Sequence, residues 1–329
     1  MNLKEEILKL KEELDVTIVA HFYQRDEVFE LADITGDSLE LAKKAMETDS
    51  KFILFCGVGF MGESVKVLSP NKRVLMPKIA CCAMARMIDV DYFDESLAKL
   101  NKMGVSTQEL LPITYINSSA AVKARVGEMG GMVCTSSNAY KIIEKGLKSG
   151  KKIFFVPDRC LGQNFAKSLN LKSSVIGDGT DPKEADIICY DGFCSVHQLF
   201  STDDIEFYRN KYPDILIAVH PECDPKICDM ADFVGSTSQL IKYITELPVD
   251  QKIAVGTEYN MVNRLREKNT YILSSTKPEC PTMNETTLED VYKCLKDIKD
   301  GKESFGTEIF VNENVTKWAK VALQRMFEV

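Results

Sequence analysis

Three apolar runs in this chain end in residues able to move protons or hold oxygen atoms. They are "VTIVAHFYQ", closing on His21-Phe22-Tyr23, "LPITYINSS", closing on Tyr115-Ile116-Asn117, and "ILIAVHPEC", closing on His220-Pro221-Glu222. Imidazole, phenol and carboxylate serve as general acids and bases, and hydroxyl and amide groups polarise carbonyls. The chain has 3 histidines in all. His21 and His220 stand at equivalent run ends, and His197 follows Cys194 by three positions. That placement favours chemistry over a structural filler role, and it makes Tyr23, Glu222, His21, Tyr115 and His220 the candidates for proton transfer.

The cysteines carry a second kind of chemistry. Cys81 and Cys82 are adjacent in "KIACCAMARM", and no CxxC occurs to complete a local zinc knuckle. Cys223 and Cys228 in "CDPKIC" have no partner pair and read as structural. One cysteine per repeat is a different pattern: Cys82 in "CCAMA", Cys194 in "GFCSVH" and Cys280 in "ECPTM". Three thiolates meeting at one point can hold three irons of a [4Fe–4S] cluster, leaving the fourth open as a Lewis acid. Spacing alone leaves a structural zinc site or an iron–sulfur carrier standing beside that reading.

The elements that position these groups repeat. The run ends lie 94 residues apart (21 to 115) and 105 apart (115 to 220). A small polar cluster then opens a helical stretch in each unit: "GDSLELAKKA", "TSSNAYKIIEKG" and "GSTSQLIKYI". Ser38, Ser137 and Thr237 are 99 and 100 residues apart, and Ser136 offers the same chemistry as Ser137. Asp37 with Glu40, and Ser236 with Gln239, fit the capping box. A helix N-terminus with a neighbouring hydroxyl is a ready site for carboxylate or phosphate. From helix-start hydroxyl to cysteine is 44 residues in the first unit (38 to 82), 57 in the second (137 to 194) and 43 in the third (237 to 280). The middle unit therefore carries an insertion, placed around "KSLNLKSSVIGDGTDPKEA".

Short apolar strands alternating with helices predict βαβ units, parallel sheets and ligands at the carboxyl ends of the strands. The expected architecture is α/β: three similar αβα (Rossmann-like) domains about a pseudo-threefold axis, with the active site at the centre. The units are 1–100, 101–200 and 201–311, with the C-terminal helix 312–329 expected to pack on the first. The 329 residues suit two or three domains, and a net charge of −8 argues against nucleic acid or an anionic membrane as partner. The opening "MNLKEEILKLKEEL" reads as a charged amphipathic helix, and no run reaches the ~18 apolar residues of a membrane span. A cytoplasmic location is expected, where 11 cysteines are not a disulfide framework.

Taken in order, "AHFYQRDEV…ADITGDSLELA", "FCGVGFMGES", "TYINSSAAVKA", "CTSSNA", "GFCSVH", "HPEC", "ADFVGSTSQLIKY", "VGTE" and "CPTMN…TLEDV" resemble the quinolinate synthases. The resemblance runs over roughly residues 18 to 292. It implies a transferase of NAD biosynthesis that condenses iminoaspartate with dihydroxyacetone phosphate to give quinolinate, phosphate and two waters. It implies an oxygen-sensitive [4Fe–4S] cluster on Cys82, Cys194 and Cys280, and transient contact with the enzyme that supplies iminoaspartate. Substrate contacts fall on His21, Ser38, Tyr115, Ile116, Asn117, Ser136 or Ser137, His220, Pro221, Glu222 and Thr237, and proton transfer on Tyr23 and Glu222; His197, beside Cys194, and Ser236, at its helix start, join the expected substrate contacts by their placement. The family's first cysteine loop reads like "AGCSMA", whereas this chain has "IACCAMA". Aligning the C-x-M-A end selects Cys82 over Cys81.

Overall fold

The computed structural model describes residues 2–302 and 307–328, so positions 1, 303–306 and 329 of the expected units lie outside the described residues. Among the described residues thirteen short strands form three sheets, every pairing between them parallel. The first holds β1 (Val16–His21), β2 (Ile34–Gly36), β3 (Phe52–Cys56) and β4 (Arg73–Leu75), in the order β2-β1-β3-β4. The second holds β5 (Leu110–Tyr115), β6 (Met132–Cys134), β7 (Lys152–Val156), β8 (Ser173–Val175) and β9 (Ile187–Cys189), in the order β6-β5-β7-β9-β8. The third holds β10 (Leu216–Val219), β11 (Phe233–Val234), β12 (Ile253–Gly256) and β13 (Thr270–Ile272), in the order β11-β10-β12-β13. The sheets are one pattern used three times. The middle insertion is itself a strand: β8 adds an edge outside β9, which takes the place of β4 and β13.

The local reasons are those expected of buried parallel sheets. Strands such as "FILFC" and "KIFFV" are apolar without alternation and are buried on both faces. The side chains of Phe154 and Phe155 are fully buried, each stabilising the fold by roughly 1.5–3 kcal/mol relative to exposure. The helices Ser38–Glu47 and Thr237–Glu246 open with complete capping boxes on Asp37 and Ser236. All eleven cysteines are free thiols. Among the described residues no helix is long and apolar enough to cross a membrane.

Two segments tie the units together. After β13 the chain returns to the first sheet, where helix Leu288–Lys299 packs on helix Leu3–Glu13, burying Val291, Cys294 and Leu295 with Ile7 and Leu10. Residues 307–309 then pair antiparallel beside β4, with Met76 N–H donating to Thr307 O and Ile309 N–H to Val74 O, both at 2.8 Å. The last helix, Glu313–Phe327, touches the first unit at helix Gly59–Leu68 but lies chiefly on helix Ala120–Glu128 and β6 of the second. The cause is Gly127. A Cβ there would stand 2.2 Å from the Trp318 carbonyl oxygen, so only glycine permits the approach.

Candidate active site

The pseudo-symmetry fixes where each working residue falls. Ile18 and Ile217 each donate their N–H to an aspartate, Asp33 and Asp232, at 2.9 and 2.8 Å. His21 and His220, three residues on, are therefore equivalent. Each ring accepts at Nδ1 from the N–H two residues later, Tyr23 at 3.1 Å and Glu222 at 3.3 Å. A ring that accepts at Nδ1 carries its proton on Nε2. Burial lowers both, His21 to about 4 and His220 to about 3, so both are neutral near pH 7.

The cysteine loops obey the same register. The first residue of the helix after the third strand donates its N–H to a carbonyl: Gly59 to Ala80 (2.8 Å), Arg159 to Gly192 (2.9 Å) and Tyr259 to Pro278 (2.9 Å). Two residues beyond those carbonyls stand Cys82, Cys194 and Cys280, and all three line one cavity. Cys81 is exposed and is absent from that lining. In units two and three the residue before that first helical position is a buried carboxylate. Asp158 caps Leu161 N–H at 2.8 Å. Glu258 receives Asn260 N–H at 2.8 Å and Cys280 N–H at 3.3 Å.

His21, Tyr23, Ser38, Tyr115, Asn117, Ser136, His197, His220, Glu222 and Thr237 share the cavity with the three thiols. Ile116, Ser137, Pro221 and Ser236 do not line it. Ile116 is buried in the apolar core, the Pro221 carbonyl faces Asn164, and Ser236 caps its helix. The helix starts decide between the two serines. Thr135 N–H donates to Asn138 Oδ1 at 2.8 Å, as Asp37 N–H does to Glu40 (3.1 Å) and Ser236 N–H to Gln239 (2.8 Å). Thr135 thus matches Asp37 and Ser236, and Ser136 matches Ser38 and Thr237. The 99-residue spacing from Ser38 falls on Ser137, one position beyond this match. Ser137 and Ser238 instead donate to the same Asp37 Oδ2, each at 2.8 Å, so the three helix starts meet on one carboxylate.

A chain of close polar contacts crosses the cavity. The Tyr23 hydroxyl contacts Thr237 Oγ1 and Thr257 Oγ1, each at 3.0 Å. Thr257 Oγ1 also contacts His197 Nε2 at 3.1 Å, and His197 Nδ1 lies 2.8 Å from Glu222 Oε2. That last contact is close but off the line of a hydrogen bond. Tyr115 donates its hydroxyl to Glu222 Oε1 at 2.5 Å, and His197 and His220 stack with centroids 4.6 Å apart. Burial and the charge of Glu222 push the phenols of Tyr23 and Tyr115 up, so both stay protonated. Glu222 itself is raised by burial, but His197, His220 and the Tyr115 hydroxyl outweigh that and hold it near 2. One ionised carboxylate thus shares the cavity with protonated phenols and the neutral imidazoles of His21 and His220.

The donor set fits a metal centre. Burial pushes Cys82 up to about 12, the charges of Cys280 and Glu222 adding to it, and raises Cys194 and Cys280 as well. No lysine or arginine lines the cavity among the described residues. A cationic group between the thiols would supply the positive charge that the protein does not. Cys194, His197 and Glu222 also bring ligand atoms within 4.8 Å of one another, a second grouping suited to a metal ion. The cavity is small, about 70 Å³. A wider recess of about 530 Å³, bordered by Tyr208, Tyr259, Arg266 and Lys277, is open surface of the third unit and holds none of these groups.

Sequence reasoning missed Asp37, Thr135 and Thr257 as parts of the site. Asp37 was seen only as a cap. Thr257 was visible in "VGTE" at the end of the third strand, where the first two units have Gly57 and Pro157.

Acid–base groups and thiols set at the carboxyl ends of parallel strands mark an α/β enzyme for small substrates. The family model described as "Quinolinate synthetase A protein" matches residues 5–328, and the chain belongs to that family. Quinolinate synthases of Helicobacter pylori are similar throughout. That of strain HPAG1 is 55% identical and that of strain ATCC 700392 / 26695 is 56% identical, each over 334 residues, covering 100% of this chain and 98% of the relative. The quinolinate synthase of Acidobacterium capsulatum is 39% identical over 331 residues, covering 95% of this chain and 88% of the relative.

Proposed function

We propose that this chain forms quinolinate for NAD biosynthesis, condensing iminoaspartate with dihydroxyacetone phosphate and releasing phosphate and two waters. The observation that carries the reading is the position of Cys82, Cys194 and Cys280, one per repeat and two residues past an anchored carbonyl, around the cavity that holds Glu222 and Tyr23. These thiols would hold a [4Fe–4S] cluster, whose open iron supplies Lewis-acid assistance to loss of hydroxyl groups.

The chain's own residues account for the rest. Ser38, Ser136 and Thr237, at three helix starts, bind the phosphate and carboxylate oxygens with hydroxyls and first-turn N–H groups. That suits a cavity lined by no lysine or arginine among the described residues. Asn117, His21 and His220 orient the substrates' oxygens, the imidazoles donating from Nε2. Glu222 takes protons as the ionised base, and Tyr23 and Tyr115 give them. Packing of the three units keeps bulk water from the reacting carbonyls.

The division into units 1–100, 101–200 and 201–311, a cytoplasmic setting and transient contact with the iminoaspartate-supplying enzyme belong to the same proposal. Anaerobically reconstituted protein, given dihydroxyacetone phosphate and freshly generated iminoaspartate, should yield quinolinate and phosphate in equal amounts. No quinolinate from protein with a full cluster would overturn the reading. The Cys194–His197–Glu222 grouping supports a second reading, a single bound metal ion. Iron and sulfide at about four each per chain decide for the cluster.

A further inference from the structure

The register that equates the cysteine loops also equates the helices preceding them. Since Gly59, Arg159 and Tyr259 match, Ser64, Asn164 and Arg264 are one position in three copies. Likewise Phe22, Tyr23 and Gln24 match Pro221, Glu222 and Cys223. At two of the three unit seams this helix position reaches into the next unit and binds the carbonyls on either side of the working residue. Asn164 Nδ2 donates to Pro221 O at 2.8 Å and to Cys223 O at 2.9 Å, flanking Glu222. Arg264 donates to Phe22 O and, at 3.0 Å, to Gln24 O, flanking Tyr23. Its guanidinium also meets Asp26 Oδ1 at 2.6 Å and lies 4.2 Å from the Phe29 ring. Asn260 Nδ2, one helical turn earlier, takes the remaining carbonyl, Tyr23 O, at 3.0 Å. The third seam departs: Ser64 Oγ turns back to Phe60 O at 2.7 Å, and Lys123 takes Ser118 O from within the second unit.

We propose that Asn164 and Arg264 are positioning residues, each fixing the turn of a neighbouring unit so that Glu222 or Tyr23 points into the cavity. The proposal rests on the reading of Tyr23 and Glu222 as the proton-transfer groups. The physical reason is that each turn presents two outward carbonyls that must find donors. A donor from the adjacent unit fixes the side chain between them relative to that unit. A working group displaced by ~1 Å loses up to ~10²-fold in rate.

The test uses the holoenzyme with Arg264→Gln and Asn164→Ala, each alone and combined with Tyr23→Phe or Glu222→Gln. Each single change should lower kcat about tenfold or more with KM within about threefold, at unchanged iron and sulfide content. On its partner's background each should add less than about threefold, because the group it positions is already gone. Multiplying losses would overturn the proposal. Amide exchange gives a readout independent of the reaction. Arg264→Gln should speed exchange in 21–26 and leave 220–224 unchanged, and Asn164→Ala should do the reverse. Unchanged exchange in the cognate turn, or faster exchange throughout, contradicts positioning. Selective loosening with normal kcat upholds the positioning and counts instead against the catalytic role of Tyr23 or Glu222.

Discussion

The seam between the first and second units and the seams around the third are built from different materials. One continuous apolar cluster runs from Val19, Ile53 and Phe55 through Met61 and Met76 to Ile113, Ile142 and Phe155, and the last helix covers it with Ala319, Leu323 and Met326. The β10 and β12 residues Ile217, Val219 and Ala254 pack instead within the third unit's own cluster. Apart from the returning helix Leu288–Lys299, whose apolar face lies on the first unit, that unit meets its neighbours largely through polar contacts: Tyr23 with Thr237 and Thr257, Ser238 with Asp37, Arg264 with the 22–26 turn, Asn164 with the 221–223 turn, and Tyr115 with Glu222. Apolar burial holds without specifying direction, whereas hydrogen bonds specify direction and exchange readily with water. The first seam therefore provides stability and the others provide geometry.

Damage to the polar seams should cost turnover before it costs folding. Glu222→Gln and Tyr23→Phe should keep the fold and the cluster while losing at least the ~10²-fold of a removed general acid or base. Steady-state kinetics beside a melting curve checks this, and near-normal turnover in both would shift proton transfer to His21, Tyr115 or His220. Damage to the apolar seam should do the opposite. Leu323→Ala, at a fully buried position on the core-facing side of the last helix, should lose about 2–5 kcal/mol of stability with KM unchanged in the surviving folded fraction. An unchanged denaturation midpoint would mean the helix is not needed to close the core.

Lys123 sharpens the contrast, because it is a charge-bearing side chain buried where the first two units meet, 5.3 Å from the Phe60 ring. Burial lowers it from 10.5 to about 7, against the pull of Glu63. Between those values the unfolded chain holds a proton that the folded chain has released. Stability should therefore rise with pH from about 7 toward 10.5, by about 2 kcal/mol over the first two pH units. Lys123→Met should flatten that slope, and urea titrations at pH 7 and 9 measure it. A slope that persists in the variant would assign it to another group.

The smallest expected effect separates two adjacent hydroxyls. Ser136→Ala should weaken substrate binding by about 1–2 kcal/mol if the hydroxyl pairs with a charged oxygen. Ser137→Ala should act less on binding and more on the approach of the helix starts, through loss of its 2.8 Å bond to Asp37. Equal effects on KM would erase that distinction.

Much of this arrangement was legible in the sequence because each repeat writes its own signals. The strand-end triplets, the capping boxes at Asp37 and Ser236, and one cysteine per unit are local patterns that fix three sheets and one shared cavity. What was not legible depends on pairing between units. Nothing local to "CTSSNA" reveals that Thr135 is the counterpart of the caps Asp37 and Ser236 and Ser136 the inward hydroxyl, since the second helix begins late and spacing leaves Ser136 and Ser137 both open. The C-terminal helix reads as an amphipathic segment, and its seat on the second unit is decided by Gly127, nearly two hundred residues away in sequence. Nor do Asn164 and Arg264 show from their surroundings that they bind the next unit's carbonyls.

Equivalent positions of three repeats meet at one cavity, and under the proposed function the cysteine two residues past each anchored carbonyl holds the cluster. Changing each of the eleven cysteines to alanine singly, then counting iron and sulfide after anaerobic reconstitution, tests it most directly. Cluster loss is predicted at Cys82, Cys194 and Cys280 and nowhere else, with Cys81→Ala keeping full iron and sulfide. Loss at Cys81 with retention at Cys82 would contradict the register on which the whole account is built.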